Sequence, residues 1–450
     1  MTRDAVRPRL RAEGLSELLT LAWPVMLARL GIMAMGLTDT IVVGRFSAAQ
    51  LSFHALGWAP TAVMLTTSVG LLSGIQIMTA RAIGAGRPDK VGAVLRRGFA
   101  YGLLVGVGAG LALFLAGPAF LRLMGLDPAL VAGASRVLRI FALSLPLAIL
   151  SRAASTFLEG LARPAPATLA MWAANLVNLG LNLLLVPGAF GLPAMGAAGA
   201  AWSTFGAQAS LLAMLAWSIV RLPSTPELRI FHRHAREPQD EREQRRIGYG
   251  AGASLFVESA AFSGMNIIAG WLGGLAVAGW SIVLNLSALV FMAPLGLSAA
   301  TSVLVARAYG ARDRAGVVRT CVTGFAVCTA VGAASALIVW PAAPLIARAF
   351  ATDPDLIRIA RRVIVLACLF FVTDALQVVA AQALRAQGDV WIPTLTHVTS
   401  YALIMLPLGW ALAHPAGLGL DGILWAVIVA SLAAAGLLLG RFRRLARRPL

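Results

Sequence analysis

Ala80-Arg81-Ala82-Ile83-Gly84-Ala85 returns as Ala306-Arg307-Ala308-Tyr309-Gly310-Ala311, five identities in six residues at an offset of 226. The same offset pairs Gly44 with Gly270, Gly70-Leu71 with Gly296-Leu297, Gly98-Phe99 with Gly324-Phe325, Asp127-Pro128 with Asp353-Pro354 and Gly191-Leu192 with Gly417-Leu418. Single matches are cheap in a chain rich in Ala, Gly and Leu, but this many in one register, a turn-forming Asp-Pro match among them, are not. The chain reads as two copies of one unit.

Each copy is apolar. Hydrophobic residues make up 59% of the chain, charged residues 12%, and the mean hydropathy is +0.82. A soluble domain of that composition would expose large apolar patches, so the chain needs lipid around it. A bilayer core of about 30 Å asks for spans of about 20 apolar residues. Twelve such stretches are predicted near 16–44, 52–80, 98–121, 140–158, 165–188, 196–220, 248–271, 275–305, 320–347, 363–384, 392–413 and 420–440. The expected fold is an all-α polytopic membrane protein. Six spans per half give both halves the same orientation, as two six-helix bundles related by a pseudo-two-fold along the membrane normal with a cleft between them. The expected limits are an N-terminal bundle over 1–221, a cytoplasmic linker over 222–247 holding Pro223, Pro226 and Pro238 among many charges, and a C-terminal bundle over 248–450.

A net charge of +18 would suit nucleic acid, but its distribution argues against that partner. Placing both termini and the even-numbered loops on one side collects 27 of the 37 basic residues there, against eight on the other side and two inside spans. This positive-inside pattern puts both termini in the cytoplasm of a cell whose inner membrane the chain would cross, with the runs Arg441 to Arg444 and Arg242 to Arg246 against anionic lipid. The first apolar span is too long for a signal-peptide core, and no removable signal is expected. Cys321, Cys328 and Cys368 fall in spans without metal spacing and are read as packing residues. His232 and His234 flank Arg233, which would repel a cation, and are read as solvated loop. His397, alone in a span, is read as a hydrogen-bonded packing residue.

Carboxylates inside spans carry the sharpest information, since an ionised group in hydrocarbon costs at least about 2.5 kcal/mol and persists through pairing or function. Asp39 lies late in span 1, Glu258 in span 7 and Asp374 in span 10. Intramembrane Arg29 and Arg152 are possible charge partners. Ten residues separate Arg29 from Asp39, about 15 Å along one helix, so Arg152 is the better placed of the two for Asp39. Glu258 and Asp374 have no basic residue in the same spans, which leaves protonation or a bound cation, Na⁺ included, as the compensation. Asn175, Asn178 and Asn182, spaced i, i+3 and i+7 in span 5, share one helix face and would offer oxygen to a cation or hydrogen bonds to a substrate; carboxamides can equally bridge helices. Asn285 in span 8 and Gln377, three residues beyond Asp374, extend the polar set.

The segment Met35-Gly36-Leu37-Thr38-Asp39-Thr40-Ile41-Val42-Val43-Gly44-Arg45 resembles the opening motif of multidrug and toxic compound extrusion (MATE) transporters. Phe157-Leu158-Glu159-Gly160-Leu161-Ala162-Arg163-Pro164 does so as well. Val283-Leu284-Asn285-Leu286-Ser287-Ala288-Leu289-Val290-Phe291-Met292-Ala293-Pro294 and Asp374-Ala375-Leu376-Gln377-Val378-Val379, followed by Ala383-Leu384-Arg385, are similar to the NorM branch. The resemblance runs from Ala22 to Leu439. It implies an antiporter that exports amphipathic, often cationic small molecules in exchange for Na⁺ or H⁺, without a cofactor and as a monomer in the bacterial inner membrane. Asp39, Glu258 and Asp374 match the family's carboxylates on helices 1, 7 and 10, and Asn178 with Asn182 its polar pair on helix 5. Arg29 and Arg152 depart from the pattern, which weakens the expectation of purely cationic substrates.

The mechanism this implies is alternating access, with ion entry at Glu258 and Asp374 and a further or alternative site at Asp39. The alternative is a flippase or exporter of a lipid-linked oligosaccharide or other anionic amphiphile, favoured if both Arg29 and Arg152 face a cleft. An enzyme would need a nucleophile with its base or a metal set, and neither is in the spans. ATP coupling would need a phosphate-cradling loop, and none is present.

Overall fold

The computed structural model describes residues 3–125, 127–232 and 237–447, with side chains from Gly14 onward at the N-terminus. Arg233 and His234 lie outside the described residues. The helices are α1 (Arg3–Phe46), α2 (Ala48–Leu71), α3 (Ser73–Gly84), α4 (Val91–Leu123), α5 (Pro128–Gly160), α6 (Ala165–Leu185), α7 (Ala197–Val220) and α8 (Pro238–Leu272). They continue as α9 (Gly274–Gly310), α10 (Arg314–Phe350), α11 (Pro354–Ala367), α12 (Phe371–Ala386), α13 (Trp391–His397), a π-helical segment (Val398–Met405), α14 (Leu406–Ala413) and α15 (Leu420–Leu445). No strand occurs among the described residues.

Eleven of these helical stretches are long and apolar enough to cross a membrane, with α2 and α3 counted as one span over Ala48–Gly84 and α13 to α14 as another over Trp391–Ala413. The twelfth is α11 with α12, bent by 47° at a short break. Each predicted span falls on one of these twelve, so the chain is a multi-pass membrane protein. The Asp-Pro pairs work as helix starts. Asp127 accepts hydrogen bonds from the Ala129 and Leu130 amides and Asp353 from the Asp355 amide, with proline at the first helical position in both cases.

Packing repeats with the sequence. A Cβ on Gly106 would lie 2.8 Å from Pro146 Cα, and one on Gly332 would lie 2.9 Å from Val372 Cα. Both glycine and partner are displaced by the same 226 residues. In each half, therefore, the third span touches the backbone of the fourth at a point where no side chain fits.

By contact the chain divides into two compact units, Leu27–Gly252 (unit N) and Met1–Met26 with Ala253–Leu450 (unit C). These limits differ from the 1–221 and 248–450 read from the sequence, and glycine explains the difference. In unit C, a Cβ on Gly296 would come within 2.8 Å of the Met26 amide nitrogen, and in unit N one on Gly70 would lie 2.5 Å from Ala251 C and Gly252 N. Gly70 and Gly296 are offset equivalents, and so are positions 26 and 252. The start of α1 thus packs with the second repeat, and the start of α8 with the first.

Part of the expected linker is helix for the same reason. From Pro238 onward the chain is α8, held in unit N by Arg81 on Glu243 at 2.5 Å, Arg97 Nε donating to Gln244 Oε1 at 3.3 Å and Gln244 Nε2 donating to the Val94 carbonyl at 3.2 Å. The charges that read as loop are the polar end of a helix.

Unit C contains a core that includes Trp280, Phe371, Tyr401, Met405 and Ile423. In unit N one cluster surrounds Phe141, Val137 and Val43 and another Leu138, Leu145 and Leu121. Cys321, Cys328 and Cys368 are free and buried.

Candidate functional site

In unit N the carboxylate of Asp39, only 3% exposed, is met from two other helices. Asn178 Nδ2 and Asn182 Nδ2 on α6 donate to its Oδ1 at 3.0 and 2.6 Å, and Thr204 Oγ1 on α7 donates to Oδ2 at 2.6 Å. Asn178 and Asn182 are one helical turn apart, which is why both reach one oxygen. Asn182 Nδ2 also lies 3.1 Å from Asn178 Oδ1, fixing the pair against each other. His54 on α2 brings Nε2 to 4.0 Å from Oδ2, with its ring edge-on to Phe141 at 5.5 Å.

The site is rich in donors to a carboxylate. Hydrogen bonds to a charged group contribute about 1.5–3 kcal/mol each, which offsets part of the cost of burying the carboxylate. Asn182 Oδ1 is buried without a hydrogen-bond partner, so an acceptor remains beside the acid. Asn175, on the same face of α6, is elsewhere: its Nδ2 donates to the Gly31 carbonyl at 3.0 Å and to the Met171 carbonyl at 2.9 Å, bridging α6 to α1. It is not among the groups that touch Asp39.

Neither intramembrane arginine is an ion-pair partner of Asp39. Arg29 Nη2 is 3.4 Å from Glu159 Oε1, both side chains being almost completely buried, and Gln76 Nε2 donates to the other Glu159 oxygen at 3.2 Å. Arg152, half-buried two turns before Glu159 on the same face of α5, interacts electrostatically with both Arg29 and Glu159. Unit N therefore holds two cations around one carboxylate, a cluster separate from the Asp39 hydrogen-bond set.

In unit C the three groups flagged by sequence converge. Gln377 Nε2 on α12 donates to Glu258 Oε1 on α8 and to Asp374 Oδ1, one turn before it on α12, each at 3.3 Å. One amide thus bridges two acids that would otherwise repel. Both acids remain partly accessible, whereas Gln377 and Tyr401 are completely buried. Gln377 Oε1 is buried without a hydrogen-bond partner, and the Tyr401 hydroxyl lies between Glu258 and Ser431. Tyr401 interacts electrostatically with both carboxylates. Two acidic side chains beside an unpartnered amide oxygen and a tyrosine hydroxyl are hard-oxygen chemistry, of the kind that takes a proton or an alkali cation.

Sequence reasoning misses Arg385 at this site. The apolar run ends at Leu384, but α12 continues to Ala386, and Arg385 is buried there, with Nη2 donating to Ser254 Oγ at 2.6 Å and Nη1 donating to Gln382 Oε1 at 3.3 Å. Its charge attracts Glu258, which stands one turn from Ser254 on α8. No basic residue lies within the expected spans of these acids, but the helix that carries Asp374 extends past its span to include Arg385. No salt bridge joins Glu258 or Asp374 to a basic residue among the described residues. His397 is buried with its ring edge-on to Tyr401 at 5.6 Å; neither ring nitrogen has a hydrogen-bond partner, contrary to the hydrogen bonding expected of it. Asn285 is exposed on α9, its Nδ2 donating to the Ser281 carbonyl at 2.8 Å, and does not join the Glu258 cluster.

Thr204, His54 and Tyr401 complete the two sites and were not singled out by sequence. His54 carried a usable signal, being a titratable residue inside an apolar stretch. Thr204 and Tyr401 carried none, because hydroxyl residues are frequent in spans.

A family model described as MatE matches the chain twice, over residues 24–184 and 251–411, one match in each repeat. The chain is 53% identical over 453 residues to a probable multidrug resistance protein NorM of Caulobacter vibrioides, covering 99% of this chain and 96% of that one. It is 33% identical over 461 residues to multidrug resistance protein PmpM of Pseudomonas aeruginosa, covering 98% and 93%. Among solved structures it is similar to a MATE protein in its bent conformation, with TM-score 0.88, 20% identity and 97% of each chain covered. It is also similar to an outward-facing multidrug resistance MATE transporter of the MOP superfamily, with TM-score 0.87, 19% identity and 96% of each chain covered. At such low identity these structural likenesses speak for the fold alone, but the full-length relatives and the doubled family match do not depend on them: the chain belongs to the MATE family of membrane transporters, in its NorM-like branch.

Proposed function

We propose that this chain is a secondary active efflux antiporter that exports amphipathic, mainly cationic small molecules in exchange for Na⁺ or H⁺. The observation that carries the proposal is the pair Glu258 and Asp374, two acids in one membrane-buried cluster, bridged by the Gln377 amide and bordered by its unpartnered Oε1. Such a pair is costly when both acids are charged and is relieved by an entering cation or proton. Multidrug resistance relatives spanning the whole chain support the substrate class.

In this reading, ion or proton binding at Glu258 and Asp374 shifts the balance between two packings of the protein, and drug release resets it by alternating access. Moving such a balance from mostly one state to mostly the other takes a preference of roughly 5 kcal/mol, which the ion gradient supplies. Asp39, in its cage of Asn178, Asn182 and Thr204, is a second protonation site that reports on substrate in unit N. The protein works as a monomer in a bacterial cytoplasmic membrane with both termini in the cytoplasm.

The flippase reading required two arginines open to a substrate phosphate. Arg29 is committed to Glu159, which withdraws half of that support. The deciding experiment is drug transport in inverted vesicles driven by a Na⁺ gradient alone or a pH gradient alone, repeated with Glu258→Gln and Asp374→Asn. Loss of ion-driven transport in both variants is the expected result. Unchanged ion dependence in both would remove the coupling site proposed here.

A further inference from the structure

Seven of the eight basic residues on the sparsely charged side of the membrane lie on the helix ends around two turns that correspond through the repeat, Arg122, Arg136 and Arg139 in the first half and Arg348, Arg358, Arg361 and Arg362 in the second. Arg122 and Arg348 are offset equivalents, as are Arg136 and Arg362. Their surroundings differ. In the second half Arg362 pairs with Asp421 and Arg358 with Asp355. The first-half positions equivalent to those two acids are Met195 and Ala129.

The arginines of the first half line a cavity of about 870 Å³ between the end of α4 and the start of α5, within unit N. No carboxylate lines it, and none of the three guanidiniums forms a salt bridge or a hydrogen bond with the described residues. The nearest acid in sequence, Asp127, is engaged in capping α5. Arg122 sits in the last turn of α4, where the helix dipole favours a cation. Arg136 and Arg139, one turn apart on α5, have no such reason to be there. Arg139 lies over the Phe114 ring at 5.6 Å, and apart from Ser135 the rest of the wall is apolar, Pro118, Ile140 and Leu143 included.

We infer that this cavity is a binding site for an anionic phospholipid of the outer leaflet, its phosphate held by Arg122, Arg136 and Arg139 and its acyl chains against Phe114, Ile140 and Leu143. The volume lies within the roughly 300–1,000 Å³ of ordinary small-molecule sites. Charge complementarity selects the occupant: three cations without counter-ions meet the one abundant anion that also brings apolar surface. The outer leaflet follows from the positive-inside orientation, since this cavity opens at the end of the bundle opposite the basic loops. The exporter role assigned to Glu258 and Asp374 is independent of it.

The test is native mass spectrometry of the full chain in detergent, titrated with phosphatidylglycerol or phosphatidylcholine. The double variant Arg136→Gln/Arg139→Gln is compared with the parent and with Arg358→Gln/Arg362→Gln, whose arginines have acidic partners. At about fivefold per interfacial arginine, the first variant should lose roughly 25-fold in phosphatidylglycerol affinity, with phosphatidylcholine unaffected. The control should lose much less. Apart from the Arg362–Asp421 pair and the Arg139–Phe114 ring contact, the altered residues hold no other helix, and unfolding temperature without lipid should confirm that the first variant is folded. Equal losses in both variants would mean diffuse attraction and overturn the site. Protection by inorganic phosphate as strong as by phosphatidylglycerol would make it a small-anion site, and a concentration-dependent dimer abolished by the first variant would make it a self-interface; either result overturns the lipid assignment.

Discussion

Glu159 is expected to matter more to folding than either arginine near it. Its Oε1 is 3.4 Å from Arg29 Nη2, and both side chains are about 5–6% exposed. At an effective dielectric constant of about 20, that separation corresponds to roughly 5 kcal/mol of attraction. Glu159→Gln would remove it and leave Arg29 and Arg152 facing each other with no anion, the situation in which breaking a buried pair costs about 3–5 kcal/mol. Arg29→Met is expected to cost about 2 kcal/mol or less, because Glu159 keeps the Gln76 hydrogen bond and the field of Arg152. The double variant should be more stable than Glu159→Gln alone, since it also removes the cation that the single change strands. Equilibrium unfolding of purified protein in mixed detergent and SDS micelles gives all three free energies. Finding Glu159→Gln no more destabilising than Arg29→Met, or within about 1 kcal/mol of the parent, would refute this ordering.

The three asparagines of α6 should separate by assay: Asn178→Ala and Asn182→Ala lower drug transport with little change in unfolding, while Asn175→Leu, which frees the Gly31 carbonyl, lowers stability by about 1–3 kcal/mol and leaves ion dependence as it was. Gly70→Leu and Gly296→Leu are expected to abolish stable expression, because even a Cβ would meet backbone within 2.8 Å at each, whereas Gly36→Ala, with nothing within 4 Å, should be tolerated; membrane yield after expression decides. Asp353→Ala, which removes the cap of α11, should cost about 1 kcal/mol in the same unfolding assay, and a value near zero would mean the amide finds another acceptor.

The membrane fold was legible because hydrophobic run length and the repeat report on it directly. Half of the Asp39 site was legible too. A spacing of four places Asn178 and Asn182 over one another on a helix, and two carboxamides in an apolar span demand explanation. Asn175 passed the same test of face and failed on height: α1 and α6 run side by side there, so that Gly31 stands level with Asn175 while Asp39 stands level with the two later asparagines. Rotation can be read from spacing, but axial register between two helices cannot. Thr204 reaches Asp39 from α7 and Tyr401 lies near Glu258 and Asp374 from the π-helical segment, both set by tertiary packing that leaves no local mark. Arg385 was lost at a boundary, since burial of its charge depends on Ser254 and Gln382 and hydropathy stops counting at Leu384. The contact units differ from the expected domain limits for a related reason: chain order implies that a helix start belongs with the spans after it, and the starts of α1 and α8 pack otherwise.

That exchange of helix starts bears on where such a chain comes from. Position 26 fits the slot at Gly296 and position 252 the slot at Gly70, so each repeat completes the other, and the two contacts are one contact made twice. Two separate copies of a single repeat could trade their leading segments in the same manner, as in a domain-swapped homodimer with a self-complementary interface. Gene fusion would then have added only a tether, and cutting the chain in the loop before Pro238 should yield two fragments that need one another to be whole.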